Sequence, residues 1–251
     1  MSAAAAVGGE LAVATVAAKS YLPHARVLAR SLRERHPHVP FYVALTDEVE
    51  GCFDPAGEPF ELVPIAALGI PDLRRFVFRY DRREVAVAAK AFVLGHLLER
   101  GFARALFLDA DTWVTAELSP LFDALEQRSI LLTPHLVEPA RGPDAARREL
   151  TIVAAGAYNG GVVGVRRARE ARRFLAWWQA RLLEHCELAP ARGLHHDQGW
   201  DALVPALFDD VGLCRDPGVN VAYWNLPERP LERRGGEWLA GGRTLRLAHF
   251  S

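Results

Sequence analysis

The chain has 251 residues, half of them hydrophobic, which is enough to bury one full core, and its net charge of −1 excludes a basic footprint for nucleic acid or an anionic membrane. Its three cysteines, Cys52, Cys186 and Cys214, are widely spaced and odd in number, fitting neither a disulfide framework nor a Cys-x-x-Cys metal pair, so a reducing, cytoplasmic setting is expected. No transmembrane segment is expected, because no stretch approaches the roughly 20 apolar residues of a membrane span.

The start, "MSAAAAVGGE", lacks a basic n-region and places Glu10 before a short apolar run, so residues 1–10 read as a disordered beginning rather than a signal peptide. Residues 11–17 predict a first strand. Ser20 is placed to cap the helix "YLPHARVLARSLRER", in which Ala25, Leu28 and Leu32 recur at helical spacing. "PFYVALTDE" and "PFELVPI" predict two further strands, followed by a short helix over 72–80. One longer continuous helix is expected across "REVAVAAKAFVLGHLLERG", ended by Gly101. The apolar run "ALFL" is the next strand, then come a helix near "LSPLFDALEQ", the strand "SILLTPH" and a surface loop over 138–144. "GGVVGV" predicts a strand, "RRFLAWWQARLLEHC" an amphipathic helix, "DQGWDALVPALF" another helix and "TLRLAHFS" a final strand. Alternating strands and helices predict one α/β domain over 1–251, with a mostly parallel central sheet and helices on both faces. Such sheets bind ligands at the carboxyl ends of their strands.

The Ala-Leu-Phe-Leu strand runs into Asp109 and Asp111 at such an end. Burying carboxylates is unfavourable unless something pairs with them. Strand alternation would point both the same way, with Cα atoms about 6.6 Å apart and Ala110 facing away. Two carboxylates that close favour a shared cation. A lone Asp-x-Asp is weak evidence, since Asp also starts turns. Haloacid-dehalogenase-like phosphatases place the same motif after an apolar strand and normally near the start of the chain, with Thr or Val where this chain has Trp113; "LFDDVG" at Asp209 and Asp210 imitates their later acidic motif. His249, at the end of the last strand, reads either as a structural histidine or as the third member of an O/O/N set suited to Mn²⁺.

Other residues are open to two readings. "AYNGGVVGV" places Asn159 before Gly160 and Gly161, either as an Asn-Gly turn or as a site where a ligand approaches the backbone and the amide binds hydroxyls. Asp197 is either a helix N-cap or, with Gln198, a reader of a sugar ring. "NVAYWNLPERP" brings Asn220 and Asn225 around an aromatic pair, while Trp177, Trp178 and Trp200 read as core. Lys90 and Lys19 are the only lysines among thirty basic residues. Lys90 sits among apolar Val87, Ala89, Ala91 and Phe92, so it is either a solvated helix lysine or a compact ammonium facing a diphosphate.

Taken in order, "SYLPHARVLARSL", a lysine in the helix before the Asp109 strand, "FLDADT", "YNGGVVGV", "DQGW", "YWNLP" and "HFS" resemble the family eight glycosyltransferases, which include glycogenin and bacterial galactosyltransferases. The resemblance is stronger still to a bacterial branch with "LTPH", "DQxW" and "NVAYWNL" segments, and it runs over nearly the whole chain. It implies a GT-A fold, Mn²⁺ (with Mg²⁺ as the alternative), a nucleotide sugar donor, usually UDP-linked, and transfer of a hexose with retention to an acceptor it does not name. By motif, Asp111 would hold the metal, Asp109 would touch metal and ribose, and His249 would be the third ligand. Tyr21 would stack on uracil, and Lys90 would face the diphosphate and sugar. Asn159, Asp197 and Asn225 would lie near the sugar hydroxyls and Gln198 beside the anomeric carbon, making Lys90, Asp197 and Gln198 the catalytic set. Ala17, Lys19, Ala110, Gly160 and Gly161 fall in segments that the resemblance makes donor-binding.

The chain departs from the family at two places. Ala18 and Lys19 stand where glycogenin-like members have "TND", which removes an Asn contact to the nucleotide. The chain stops at Ser251 where relatives continue with Gly and often a basic residue, implying either a less covered diphosphate or the N-terminal piece of a longer protein. Arg74, Arg75, Arg79, Arg82 and Arg83 make either a mobile flap near the donor or a solvated face. A non-catalytic sugar-nucleotide-binding domain and an Asp-x-Asp phosphohydrolase stay open beside the transferase.

Overall fold

The computed structural model describes residues 9–250, so the expectations for residues 1–8 and for the chain end at Ser251 fall outside the described residues. Within the expected disordered start, Gly9 and Glu10 are tied to the body: their carbonyls accept the N–H groups of Ala103 and Arg104 at 2.9 and 3.0 Å. The chain then runs through β1 (Leu11–Ala17), α1 (Leu22–Arg35), β2 (Phe41–Leu45), β3 (Glu61–Pro64), α2 (Leu73–Arg79), α3 (Arg82–Ala88), α4 (Lys90–Glu99), β4 (Arg104–Leu108) and β5 (Thr112–Val114). It continues with α5 (Ser119–Gln127), β6 (Ile130–Pro134), α6 (Ala145–Ala155), β7 (Tyr158–Arg166) and α7 (Arg169–Leu182). Short elements follow: β8 (Leu188–Ala189), β9 (Leu194–His195), α8 (Gln198–Asp201), α9 (Val204–Leu207), β10 (Val211–Leu213), β11 (Leu231–Arg234), β12 (Glu237–Ala240), β13 (Arg243–Thr244) and β14 (Leu247–His249).

Among the described residues, a seven-stranded sheet has the order β10-β6-β7-β4-β1-β2-β3. β7 runs antiparallel to both its neighbours, β4 and β6, and the other pairings are parallel. This is the mostly parallel, two-sided α/β sheet that the sequence pattern predicts. Alternate residues serve opposite faces: Ala12, Ala14, Ala105 and Phe107 join the cluster under α4 and α7. Val13, Leu106 and Leu108 join the cluster under α1 and α5. Each fully buried Leu or Phe contributes about 1.5–3 kcal/mol, so the central strands are pinned in register and their carboxyl ends are fixed in space.

Several local expectations change. Ser20 does not cap α1; residues Lys19–Tyr21 form a 3-10 turn, and α1 starts at Leu22 with Pro23 in its first turn. The expected continuous helix breaks at Ala89, where ψ is −11°, so Lys90 opens α4 instead of lying within a single helix. α3 carries its own start signal, a reciprocal Asp81–Glu84 capping box. "DQGWDALVPALF" likewise divides into α8 and α9. Asn159 lies inside β7, not in an Asn-Gly turn. α6, which has no buried residue, follows the expected loop over 138–144 and is not among the expected elements.

The two aspartates also sit differently from the strand-alternation expectation. β4 ends at Leu108, and the N–H and Oγ1 of Thr112 both reach back to the Asp109 carbonyl, at 3.1 and 2.8 Å, closing a turn over 109–112. Beyond that turn, β5 pairs antiparallel with β14 in the register His249↔Thr112 and Leu247↔Val114. The last strand is thereby delivered beside the Asp turn, about 140 residues away in sequence. No helix among the described residues is long and apolar enough to cross a membrane.

Candidate functional site

Asp109, Asp111 and His249 converge at the carboxyl end of β4, where one ligand atom from each lies within 4.8 Å of the others. His249 Nε2 lies 3.3 Å from Asp111 Oδ1 and 3.7 Å from Asp109 Oδ2. Backbone pairing holds the three in place: the Asp109 N–H donates to the Gly161 carbonyl at 2.8 Å, the Phe250 N–H to the Asp111 carbonyl at 3.0 Å, and the His249 N–H to the Val221 carbonyl at 2.8 Å. Gly161 is required by space. A β-carbon there would lie 2.5 Å from Asp109 Oδ2 and 2.7 Å from His249 Cε1.

Lys90 fills the floor beside this cluster. Its ammonium is buried and contacts the Gly160 carbonyl at 3.0 Å, Asp197 Oδ2 at 3.1 Å and Asp109 Oδ1 at 3.2 Å. Desolvation by burial would lower its pKa, but the Asp109 and Asp197 carboxylates outweigh that and raise it above the usual lysine value. Of the two sequence readings, the solvated helix lysine is excluded. Gly160 has no room for a side chain either, since a β-carbon would run into the Asp197 carboxylate.

A cleft of about 460 Å³ opens over these groups. Ala17, Tyr21, Lys90, Asp109, Ala110 and Asp111 all line it, together with Arg82, Arg83 and Phe250. Ala110 therefore shares the cleft with the two aspartates, because it belongs to a turn and not to an alternating strand. Tyr21 is half-exposed and stacks on His24 with ring centroids 5.0 Å apart. Of the five arginines read as a flap or solvated face, Arg82 and Arg83 reach the cleft. Arg79 instead donates to the Glu184 carbonyl.

The remaining residues form a layer behind. Asn159 Nδ2 donates to Gln198 Oε1 at 3.2 Å and meets His135 Nε2 at 3.2 Å, while its Oδ1 accepts the Gly161 N–H at 3.0 Å. Gln198 Oε1 also faces the Gly160 N–H, and its Nε2 donates to the Ala155 carbonyl. Asp197 begins α8 without making a side-chain cap; its carboxylate is turned to Lys90. Lys19 is not brought in: its ammonium pairs with Glu50 at 3.3 Å. Asn225 is fully buried, and its amide bonds go to its own neighbourhood, the carbonyls of Asn220 and His135 and the N–H of Ala222.

Five residues to which the sequence reading gave no site role adjoin this cluster. Asn220 Oδ1 meets His249 Nδ1 at 2.8 Å. His135 packs edge-on against Trp224, which packs edge-on against His249. Asp201 is fully buried one helical turn after Asp197, and Phe250 follows His249 into the cleft wall. The signal for Asn220 was its rarity in an asparagine-poor chain; for Asp201 it was the i, i+4 spacing.

The imitation of a phosphatase motif is resolved by topology. β4, β6 and β10 run in the same direction, Asp109 follows the end of β4, and Asp210 precedes the start of β10. Asp210 binds Ser129 there, so the acidic pair lies at the amino ends of the parallel strands, opposite to the carboxyl end that carries Asp109.

Solved structures that this chain resembles in fold include several glycosyltransferases. The galactosyltransferase LgtC, in complex with donor and acceptor sugar analogues, superposes with a TM-score of 0.59 and 16% identity over 95% of this chain and 86% of its own. The fold is GT-A. A glycosyltransferase involved in glycosylating the major capsid of PBCV-1 gives a TM-score of 0.55 at 11% identity, covering 96% of this chain and 93% of its own. Apo mouse xyloside xylosyltransferase 1 gives 0.52 at 12% identity, covering 97% of each chain. In sequence, the chain is 29% identical over 249 residues to the uncharacterized protein YfnF of Bacillus subtilis strain 168, spanning 96% of this chain and 80% of that one. It is 22% identical over 243 residues to YfnD of the same organism, spanning 94% and 76%. No protein-family model matches the chain.

The three side chains fit a divalent cation. Two carboxylates and one imidazole are an oxygen-rich set suited to Mn²⁺ or Mg²⁺, their ligand atoms converge, and glycine at 161 keeps the space beside them clear.

Proposed function

We propose that the protein is a metal-dependent glycosyltransferase that moves a hexose from a UDP-linked sugar to an acceptor with retention of configuration. The observation that carries this reading is the convergence of Asp109, Asp111 and His249 against a cleft that also holds Lys90 and Tyr21. The GT-A fold, and its presence in a galactosyltransferase solved with donor and acceptor sugar analogues, support it.

In this reading Tyr21 offers its half-exposed ring to the uracil base, and Asp109, Asp111 and His249 hold Mn²⁺, with Mg²⁺ as the alternative. When bound, the cation neutralises the diphosphate and stabilises it as a leaving group. Lys90, already fixed by three oxygen contacts, adds a positive charge preorganised for the same developing charge. Gly160 and Gly161 let the sugar approach the backbone, and Asn159 and Gln198 supply amides near its hydroxyls. Asp197 is buried and committed to Lys90, which favours attack by the acceptor on the face the diphosphate leaves over a covalent Asp197 intermediate.

A thermal-shift panel of UDP, GDP and dTDP, with and without Mn²⁺, tests the reading. Stabilisation by UDP only with Mn²⁺, lost in Asp111→Asn, is expected. An equal response to all three nucleotides, or to none, overturns the donor assignment. Release of phosphate from simple phosphate esters, abolished by Asp109→Asn, would replace it with the phosphohydrolase.

A further inference from the structure

We propose that Asn220 is a positioning residue for His249: its side-chain oxygen holds the proton on His249 Nδ1 and so leaves Nε2 as the atom that ligates a cation with Asp109 and Asp111. The inference rests on reading those three residues as a metal site.

Asn220 is fully buried, and its Oδ1 lies 2.8 Å from His249 Nδ1. A neutral imidazole carries one N–H, and the partner of one ring nitrogen decides which nitrogen is free to bind metal. An oxygen at Nδ1 selects the Nδ1–H form. The amide rotated by half a turn would donate to Nδ1 and drive the proton onto Nε2, facing the aspartates. The other end of the amide does not compete, since Asn220 Nδ2 makes no hydrogen bond among the described residues.

The backbone around Asn220 is built to present it. Its φ of +58° lies in the left-handed region, which Asn tolerates better than most side chains. Asn225 locks the turn, donating to the Asn220 carbonyl at 2.9 Å and accepting the Ala222 N–H at 2.9 Å. The same turn fixes the His249 backbone through Val221, so main chain and ring are held by one element. Trp224, within that turn, packs edge-on against the ring with centroids 5.4 Å apart. Asn225 thus contributes to the site by holding Asn220.

The test compares wild type, Asn220→Gly and Asn220→Asp. Gly accepts the positive φ and removes the oxygen; Asp keeps both an acceptor and a tolerated backbone. In ¹⁵N-histidine NMR of the metal-free protein, wild type and Asn220→Asp should show a protonated, slowly exchanging His249 Nδ1 that Asn220→Gly loses. Free-Mn²⁺ electron paramagnetic resonance should show Asn220→Gly binding Mn²⁺ roughly 10- to 100-fold more weakly, the range for removing such a supporting contact. An unprotonated Nδ1 in wild type, or wild-type NMR and Mn²⁺ affinity in Asn220→Gly, overturns the inference. If wild type binds no Mn²⁺ while the Nδ1 proton still depends on Asn220, the positioning role stands and the metal reading falls.

Discussion

Lys90 and Asp197 form a buried ion pair, Nζ to Oδ2 at 3.1 Å, with the two side chains 5% and 3% exposed. The pair joins the start of α4 to the start of α8, and through Asp109 it continues to the carboxyl end of β4. Lys90→Met removes the counter-charge of a buried carboxylate. Unpaired buried charges of this kind destabilise by about 3–5 kcal/mol, and urea unfolding should show a loss of that size. Asp197→Asn in the same background should recover part of it. A loss below about 1 kcal/mol in Lys90→Met would contradict the buried pair.

Gly161→Ala places a β-carbon against Asp109 and His249, so it should act on cation binding before it acts on the fold. Mn²⁺ affinity by calorimetry should fall at least about tenfold, with about 1–3 kcal/mol of destabilisation from overpacking. Gly164→Ala is the control on the same strand. The atoms nearest its β-carbon would be those of the Leu125 side chain, away from the aspartates and His249, so Mn²⁺ affinity should not change.

Asp201 is fully buried, both its carboxyl oxygens lack a hydrogen-bond partner among the described residues, and desolvation followed by the nearby Asp197 charge pushes its pKa well above the usual carboxylate range. The folded protein keeps a proton that the unfolded chain releases above about pH 3.9, so stability is lost as pH rises past that value. Asp201→Leu should therefore be more stable than wild type by about 1–3 kcal/mol at pH 8, with a smaller gain at pH 5. Thermal melts at the two pH values measure it; a constant difference would refute the protonated carboxyl.

His135 behaves in the opposite sense. Burial lowers its pKa to about 4, so the folded protein refuses a proton that the unfolded chain takes up below about pH 6.5. Its contribution is fully present above pH 6.5 and is lost as pH falls toward 4, amounting to about 3 kcal/mol at the acid end. His135→Gln keeps an acceptor for Asn159 without a group that titrates in this range. Its stability should fall less steeply than wild type between pH 6.5 and 4 in denaturant titrations at fixed pH.

The sequence by itself determined the alternation of strands and helices, the two-faced sheet and the end of β4 as the place for chemistry. These follow from local patterns: the period-two and helical spacing of apolar residues, and an apolar strand stopping at Asp109. The rarity of lysine and asparagine in this chain marked Lys90, which lines the cleft, and Asn159, Asn220 and Asn225, which lie in the layer behind it. Pattern failed where backbone geometry was decided by contacts. A single ψ at Ala89 divides the long helix and sends Lys90 inward, and the apolar neighbours that make the helix legible do not encode the break. The Asp-x-Asp segment reads as strand because its predecessors are strand, yet the Thr112 bonds to Asp109 make it a turn.

Only the tertiary structure decided which polar side chains reach the cleft and which hold others in place. Asn225 carries the same motif signal as Asn159, but its amide is consumed by the turn that presents Asn220. Lys19 lies beside the cleft-lining Ala18 and Ser20, but Glu50, distant in sequence, draws its ammonium away. The pairing of β14 with β5 brings His249 to aspartates about 140 residues earlier. The physical reason is common to all three: a polar side chain turns to the partners that satisfy it once buried, and those partners are neighbours in space, not in sequence.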